Sequence, residues 1–173
     1  MGDDREVCPG VGERVVIRDA VATDVGDLLE LLAELHPRYP GDPSRSAAIL
    51  SEILDSPGRS LLVANGNGGI VGTVDLIVVA NLSHGGAPWA IVENMVVRPD
   101  ARGTGVGRAL LEETLRRASA ADCYMVQLLS LKHRLDAHSF YRRVAFESVA
   151  EGFRIYLDGF AATTAGDTKG RLE

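Results

Sequence analysis

Between Val97 and Val106 the side-chain period of this chain changes, and the change constrains the fold more than any other feature. Up to Met95-Val96-Val97 the apolar residues run as a buried strand. From Val106 they recur at helical spacing, through Val106, Leu110 and Thr114, with Leu111, Leu115 and Ala118 beside them. The segment between holds Pro99 and three alternate glycines, Gly103, Gly105 and Gly107. A strand that runs through a short glycine turn into an amphipathic helix belongs to an α/β protein, not to an all-helical or all-strand one.

The rest of the chain supplies partners for that unit. Val15 to Arg18 reads as a first strand. Thr23-Asp24 then caps an amphipathic helix whose apolar face is Val25, Leu28, Leu29, Leu31, Leu32 and Leu35, ended by Pro37 and Pro40-Gly41. Ser44 to Leu54 is a second helix, stopped at Pro57-Gly58. Three strands follow: Leu61 to Ala64, Ile70 to Val79 and Ala90 to Val97. The turn Asn65-Gly66-Asn67-Gly68-Gly69 joins the first two as a hairpin. After the glycine-led helix come a buried strand over Tyr124 to Leu129, a short helix over Asp136 to Arg143 and a last strand over Phe153 to Leu157. Hairpins dominate the middle and helices separate the later strands. The expectation is a single-domain α/β fold with a mixed, largely antiparallel sheet and helices on both faces.

Length and composition set the outer bounds. The 173 residues suffice for one domain with a continuous core. Residues 1–12 and 161–173 are small, polar and aperiodic, so they read as flexible tails on a domain spanning 13–160. No apolar run reaches the roughly 18 residues of a membrane span, and the acidic start lacks the basic and apolar regions of a secretory signal. The expected compartment is the cytoplasm. Twenty-four acidic against 18 basic residues leave a formal charge of −6, which speaks against nucleic-acid or anionic-membrane binding and suits a cationic substrate. The two cysteines, Cys8 and Cys123, form no metal-ligand spacing. Cys123 opens an apolar run and reads as a core residue.

The glycine turn is the candidate site. Glycine permits positive φ and close approach of the backbone to a ligand. Amides at a helix start lack intrahelical acceptors and point at any anion placed there. Arg102 and Arg108 bracket the turn. A P-loop needs Gly-Lys, which is absent. A Rossmann fingerprint fails too, because its last glycine falls on Arg108 or on Leu110. A nicotinamide-dependent oxidoreductase therefore has little support.

What fits is Arg-x-x-Gly-x-Gly, met by Arg102, Gly105 and Gly107, with Val96-Val97-x-Pro99 upstream. This resembles the acetyl-CoA-binding motif of the GNAT superfamily of N-acetyltransferases. Downstream, Ala137-His138-Ser139-Phe140-Tyr141-Arg142-Arg143-Val144-Ala145-Phe146-Glu147 is similar to that family's A-x-x-[LF]-Y-x-x-x-G-F-E box. Ala145 stands where the box has glycine, and Arg134 stands where many members have asparagine. The resemblance covers Val15 to about Leu157.

It implies direct acyl transfer from acetyl-CoA to an amine within a ternary complex, with no metal. The pyrophosphate would lie on Arg102, Gly103, Thr104, Gly105, Val106, Gly107 and Arg108. The pantetheine arm would pair with Met95, Val96 and Val97, and Arg134 and Ala137 would complete the cofactor site. An alkyl amine with a pKa near 10.4 is only about one part in 2,500 neutral at pH 7, a penalty of roughly 4.6 kcal/mol. Glu93, on the strand before the pantetheine segment, is the candidate base, acting through water. Tyr141 is the candidate acid for the departing thiolate. His36, His84, His133, His138 and Trp89 carry no assigned catalytic role.

The acceptor, a small-molecule or peptide amine, is not coded in the segments His36 to Pro43 and Asn81 to Trp89, which leave open a protein lysine or N-terminus, a polyamine, an amino sugar and an antibiotic. Dimers are frequent in the family, so a homodimer is one option. A non-catalytic acyl-CoA sensor on the same fold is the competing reading.

Overall fold

The computed structural model describes residues 5–7, 15–37 and 41–155. Its elements are β1 (Arg5–Val7), β2 (Val15–Asp19), α1 (Val25–Ala33), α2 (Pro43–Leu54), β3 (Arg59–Gly66), β4 (Gly69–Val79), β5 (Trp89–Val97), α3 (Val106–Ala120), β6 (Val126–Leu128) and α4 (Leu135–Arg143). The strands form one sheet in sequence order. It is antiparallel from β1 to β5, and β6 joins β5 in parallel. A parallel neighbour needs a crossover, and α3 lies in that connection. The chain clusters into two compact units, Met1–Leu129 and Ser130–Glu173. The sheet and α1 to α3 belong to the first unit, and α4 belongs to the second.

Both faces of the sheet are covered, so β3 can be apolar without alternation. Leu62 and Ala64 pack with Ile17, Val74, Val92, Val106 and Leu110 under α3. Leu61 and Val63 pack with Leu28, Leu31, Leu50, Ile70 and Val96 under α1 and α2. The mixed α/β architecture expected from the sequence, with helices on both faces, is the one observed.

Side chains shape the approach to α1 and the start of α2. Asp24 accepts from the Val21 amide at 2.8 Å and from both terminal nitrogens of Arg18 at 2.7 and 2.9 Å. The Arg18 contact holds its carboxyl below the usual range. Asp42 accepts from the Arg45 amide at 2.7 Å, and Pro43 fills the first helical position of α2. Helix α3 is also pinned by charged side chains. Its buried Glu113 accepts from Arg116 and Arg117, and Arg117 reaches on to Asp19 at the end of β2 at 2.6 Å.

Three boundaries differ from the sequence reading. Arg5–Val7, within the segment read as a tail, pairs with Val15 to Ile17 and covers the backbone edge of β2. The strand expected over Tyr124 to Leu129 contracts to Val126–Leu128, because only three residue pairs join it to β5. Tyr124, Met125 and Leu129 are exposed. Phe153 to Ile155 form no strand, and the remainder of that expected strand lies outside the described residues, as do residues 161–173.

Candidate active site

The site builds from a defect in β5. Glu93 pairs with Asp75, but Val96 pairs with Thr73, so β5 spends three steps where β4 spends two. Asn94, with φ of 51°, takes up the extra residue. Such a bulge reverses the alternation of side chains beyond it. Val92 therefore packs under α3 while Val96 packs under α1, and Met95 and Val97 turn toward the α3 side. The parallel ladder to β6 ends at the same place, at Val92 opposite Leu128. Among the described residues, no strand of the sheet pairs with that side of β5 from Glu93 to Val97.

Beyond Val97 the chain makes one short turn over Pro99–Ala101 and reaches the glycines. Gly103 and Gly105 have φ of +79° and +98°, in the left-handed region. Gly105 is the residue before α3, and no side chain caps the helix there. The first helical bond runs from Ala109 to the Gly105 carbonyl at 3.0 Å. The amides of Val106, Gly107 and Arg108 therefore have no intrahelical acceptor. A Cβ built at either Gly103 or Gly105 meets nothing within 4 Å. The space in front of these amides is open, a cradle of the kind an anion fills.

The neighbouring side chains stay clear of that space. Arg102 donates from Nε to the Val97 carbonyl at 2.9 Å, which leaves its two terminal nitrogens for other partners. Thr104 donates to the Ala101 carbonyl at 2.7 Å and braces the turn. Arg108 turns along the helix to Glu112 at 2.8 Å, so part of its charge is already balanced. Behind the cradle, Gly72 of β4 permits close packing. A Cβ there would stand 3.0 Å from Leu110 Cδ1, 3.2 Å from Val106 Cγ1 and 3.3 Å from the Val96 carbonyl oxygen. The sequence reading passed over Gly72, and a glycine inside an apolar strand was its signal.

Glu93 is exposed and makes no hydrogen bond among the described residues. Its apolar sequence neighbours do not enclose it, because they turn to the two packed faces. Asp75, across the ladder, is 1% exposed. Arg59 of β3 grips it through Nε at 3.0 Å and through Nη2, and this raises Arg59 above its ordinary value. The sequence reading missed this pair, although a carboxylate inside the run Ile70 to Val79 was a sign of it. Trp89 opens β5 opposite Val79 and is half-buried. His84 has φ of 52° and stacks on Tyr124 with ring centroids 4.0 Å apart. His36 is exposed just beyond α1, and residues 38–40 of the first acceptor segment lie outside the described residues.

In the second unit, Arg134 precedes α4, Ala137 lies in its first turn and Tyr141 in its last. Tyr141 packs against Phe140 and, edge-on, against Phe146 at 6.1 Å between centroids. The helix closes with Phe146 donating to the Tyr141 carbonyl and Ala145 to the Arg142 carbonyl. That pair of bonds is the Schellman arrangement. Ala145 holds it at φ of 68° without the glycine that the position favours.

The site is thus a mixed sheet whose bulged fifth strand leads into an uncapped, glycine-led helix. Residues 57–148 match the family model described as an acetyltransferase (GNAT) domain, and the chain belongs to that family. The chain is 29% identical over 140 residues to the glucosamine 6-phosphate N-acetyltransferase of Trypanosoma brucei brucei, covering 78% of this chain and 90% of that enzyme. It is 28% identical over 132 residues to the aminoalkylphosphonate N-acetyltransferase of Salmonella typhimurium, covering 76% and 84%. A solved protein from Agrobacterium tumefaciens str. C58 superposes with a TM-score of 0.78 at 34% identity, over 82% of this chain and 99% of that one.

Proposed function

We propose that the chain transfers an acetyl group from acetyl-CoA directly to the amino group of a small acceptor. The observation that carries this reading is the α3 N-terminus: three amides without acceptors, a left-handed glycine cap and open space before them. A pyrophosphate fits that cradle by charge and by donor direction. The amides from Gly103 to Arg108 would hold it, with the terminal nitrogens of Arg102 adding charge-assisted bonds. The side of β5 beyond Val92, where no strand pairs among the described residues, suits the amide groups of a pantetheine arm along Met95, Val96 and Val97. By the family resemblance, Arg134 and Ala137 would also serve the cofactor.

Acetyl-CoA supplies the activated acyl group as a thioester. Glu93 takes the ammonium proton, through water, so that the nitrogen lone pair is available. The N–C bond then forms as the C–S bond breaks. Tyr141 gives its phenolic proton to the departing sulfur, so coenzyme A leaves as the thiol, and the second proton that the nitrogen loses on becoming an amide restores the phenol. Exposure of Glu93 supports this role, since a base acting through water must be reachable by solvent.

The acceptor is read as a small amine that also carries a phosphate or phosphonate. Both curated relatives are named for such compounds. A thiol-release assay with acetyl-CoA and a panel of amines tests the activity. Acetyl-CoA binding without thiol release on any amine would favour a sensor over an enzyme.

A further inference from the structure

Arg59 and Asp75 do something the core does not need. The rows Leu61–Asp75–Glu93 and Arg59–Ile77–Ile91 are neighbours on the α1–α2 face of the sheet. Leucine and isoleucine occupy the other central positions of those rows, and an apolar pair would fill these two as well. Replacing a buried ion pair by apolar residues is often neutral or stabilising. What the pair adds is direction. Two of the five guanidinium N–H groups go to Asp75, and the Nη1 hydrogens with the second Nη2 hydrogen remain. The Arg59 side chain is 28% exposed. It lines a cavity of about 320 Å³ with Val21, Ala22, Ile53 and Leu54, in which it is the only cation among the described residues. The one carboxylate there, Asp19, is engaged by Arg117.

Glu93 stands on the same face. Strands β3 and β5 are two strand spacings apart, roughly 9.6 Å, and Arg59 reaches back over β4 to Asp75. The cavity's lining stops short of Glu93, so an acceptor seated on Arg59 would extend from it along this face of the sheet. We propose that Arg59, held in place by Asp75, takes the phosphate or phosphonate of the acceptor while Glu93 faces its ammonium. This rests on the acetyltransferase reading for the role of Glu93. It makes Arg59 the residue that selects anionic amines over plain ones.

The test compares acceptors that differ in the anion alone: 2-aminoethylphosphonate against ethylamine, and glucosamine 6-phosphate against glucosamine. The full-length chain is expected to prefer the anionic member of each pair by about 10- to 100-fold in kcat/KM, the worth of one or two charge-assisted hydrogen bonds. Two variants probe the residue. Arg59→Lys keeps the charge and loses the fork. Arg59→Met with Asp75→Leu removes the pair and leaves no buried carboxylate behind. Either should shrink the preference to under about threefold, through KM for the anionic acceptor. Equal use of both members by the wild type overturns an anionic acceptor, and an undiminished preference in both variants overturns Arg59.

Calorimetry with 2-aminoethylphosphonate in the presence of coenzyme A separates this from the parent reading. Binding that weakens at least tenfold in the double variant supports Arg59 even if no amine is acetylated. Binding that is unchanged overturns the proposal whatever the turnover.

Discussion

Glu93 and Asp75 face each other across the β4–β5 ladder in opposite environments: Asp75 is buried under Arg59, and Glu93 is exposed without a hydrogen bond among the described residues. The two carboxylates divide the work, because Asp75 is committed to Arg59 on its far side and Glu93 is not. Glu93→Gln keeps the shape and removes proton acceptance. Turnover should fall by about 10²- to 10⁴-fold, or roughly 2.7–5.4 kcal/mol of barrier, with little change in acetyl-CoA affinity. The acidic limb of the pH–rate profile should vanish with it. A kcat within about threefold of wild type would reduce Glu93 to a strand residue.

The cradle makes a sharper prediction. A Cβ at Gly105 meets no atom within 4 Å, so a substitution costs backbone strain at φ of +98° and no clash at Cβ, about 1–2 kcal/mol. Gly105→Glu should therefore fold, with an unchanged far-ultraviolet spectrum, and place a carboxylate where the pyrophosphate belongs. Gly105→Ala carries the same strain without the charge. Calorimetry should find acetyl-CoA binding abolished in the first variant and only weakened in the second. Equal affinities for the two would remove the anion from this helix end.

The β5–α3 junction was legible because one local signal, a change of side-chain period across alternate glycines, fixes strand, turn and helix together. The Tyr141 box was legible in the same way, as adjacent residues. What the sequence hid depends on which strands pair, and in which register. Arg59 and Asp75 are 16 positions apart and meet only through the β3–β4 ladder. The Asn94 bulge shows in the sequence only as two polar residues inside an apolar run, and nothing there says which of them is the extra one. Glu93 has apolar sequence neighbours, yet alternation sends them to packed faces and leaves Glu93 exposed. Tyr124, Met125 and Leu129 read as buried for the converse reason, since apolar residues beside a three-residue edge strand need not be covered.

Tyr141→Phe keeps the ring and its packing on Phe140 and Phe146 and removes the phenolic proton. Turnover should fall more than the KM for acetyl-CoA rises, and the basic limb of the pH–rate profile should shift. Thiophenol-type leaving groups, which depart without a proton, should be far less sensitive to the change. Wild-type turnover in the variant would make Tyr141 a packing residue and leave protonation to water.

Ala145 occupies the left-handed position of the α4 Schellman cap at φ of 68°. Ala145→Gly relieves the Cβ conflict, about 1–2 kcal/mol, and pays part of it back in unfolded-chain entropy. A net gain of roughly 1 kcal/mol is expected, read as a higher denaturant midpoint at unchanged slope. No gain would mean that the cap is not formed in solution.

The last prediction concerns Glu113 and acid. Its hydrogen bonds from Arg116, and then from Arg117, outweigh burial and hold its pKa at about 2 against an ordinary 4.5. The native state therefore keeps this carboxylate ionised where the unfolded chain takes up a proton. The stabilisation is complete above about pH 5, is lost as pH falls from about 4.5 to about 2, and is absent below that. At 1.36 kcal/mol per pH unit it amounts to something on the order of 3 kcal/mol. Glu113→Gln retains an acceptor for the arginines but cannot titrate. Urea unfolding at pH 7 should show the variant less stable than wild type. The gap should narrow steadily through pH 4 and 3, as wild type loses what the variant never had. A gap that stays constant from pH 7 to pH 3 would mean that Glu113 contributes through packing and hydrogen bonding alone, and that the arginine pair does not hold its charge.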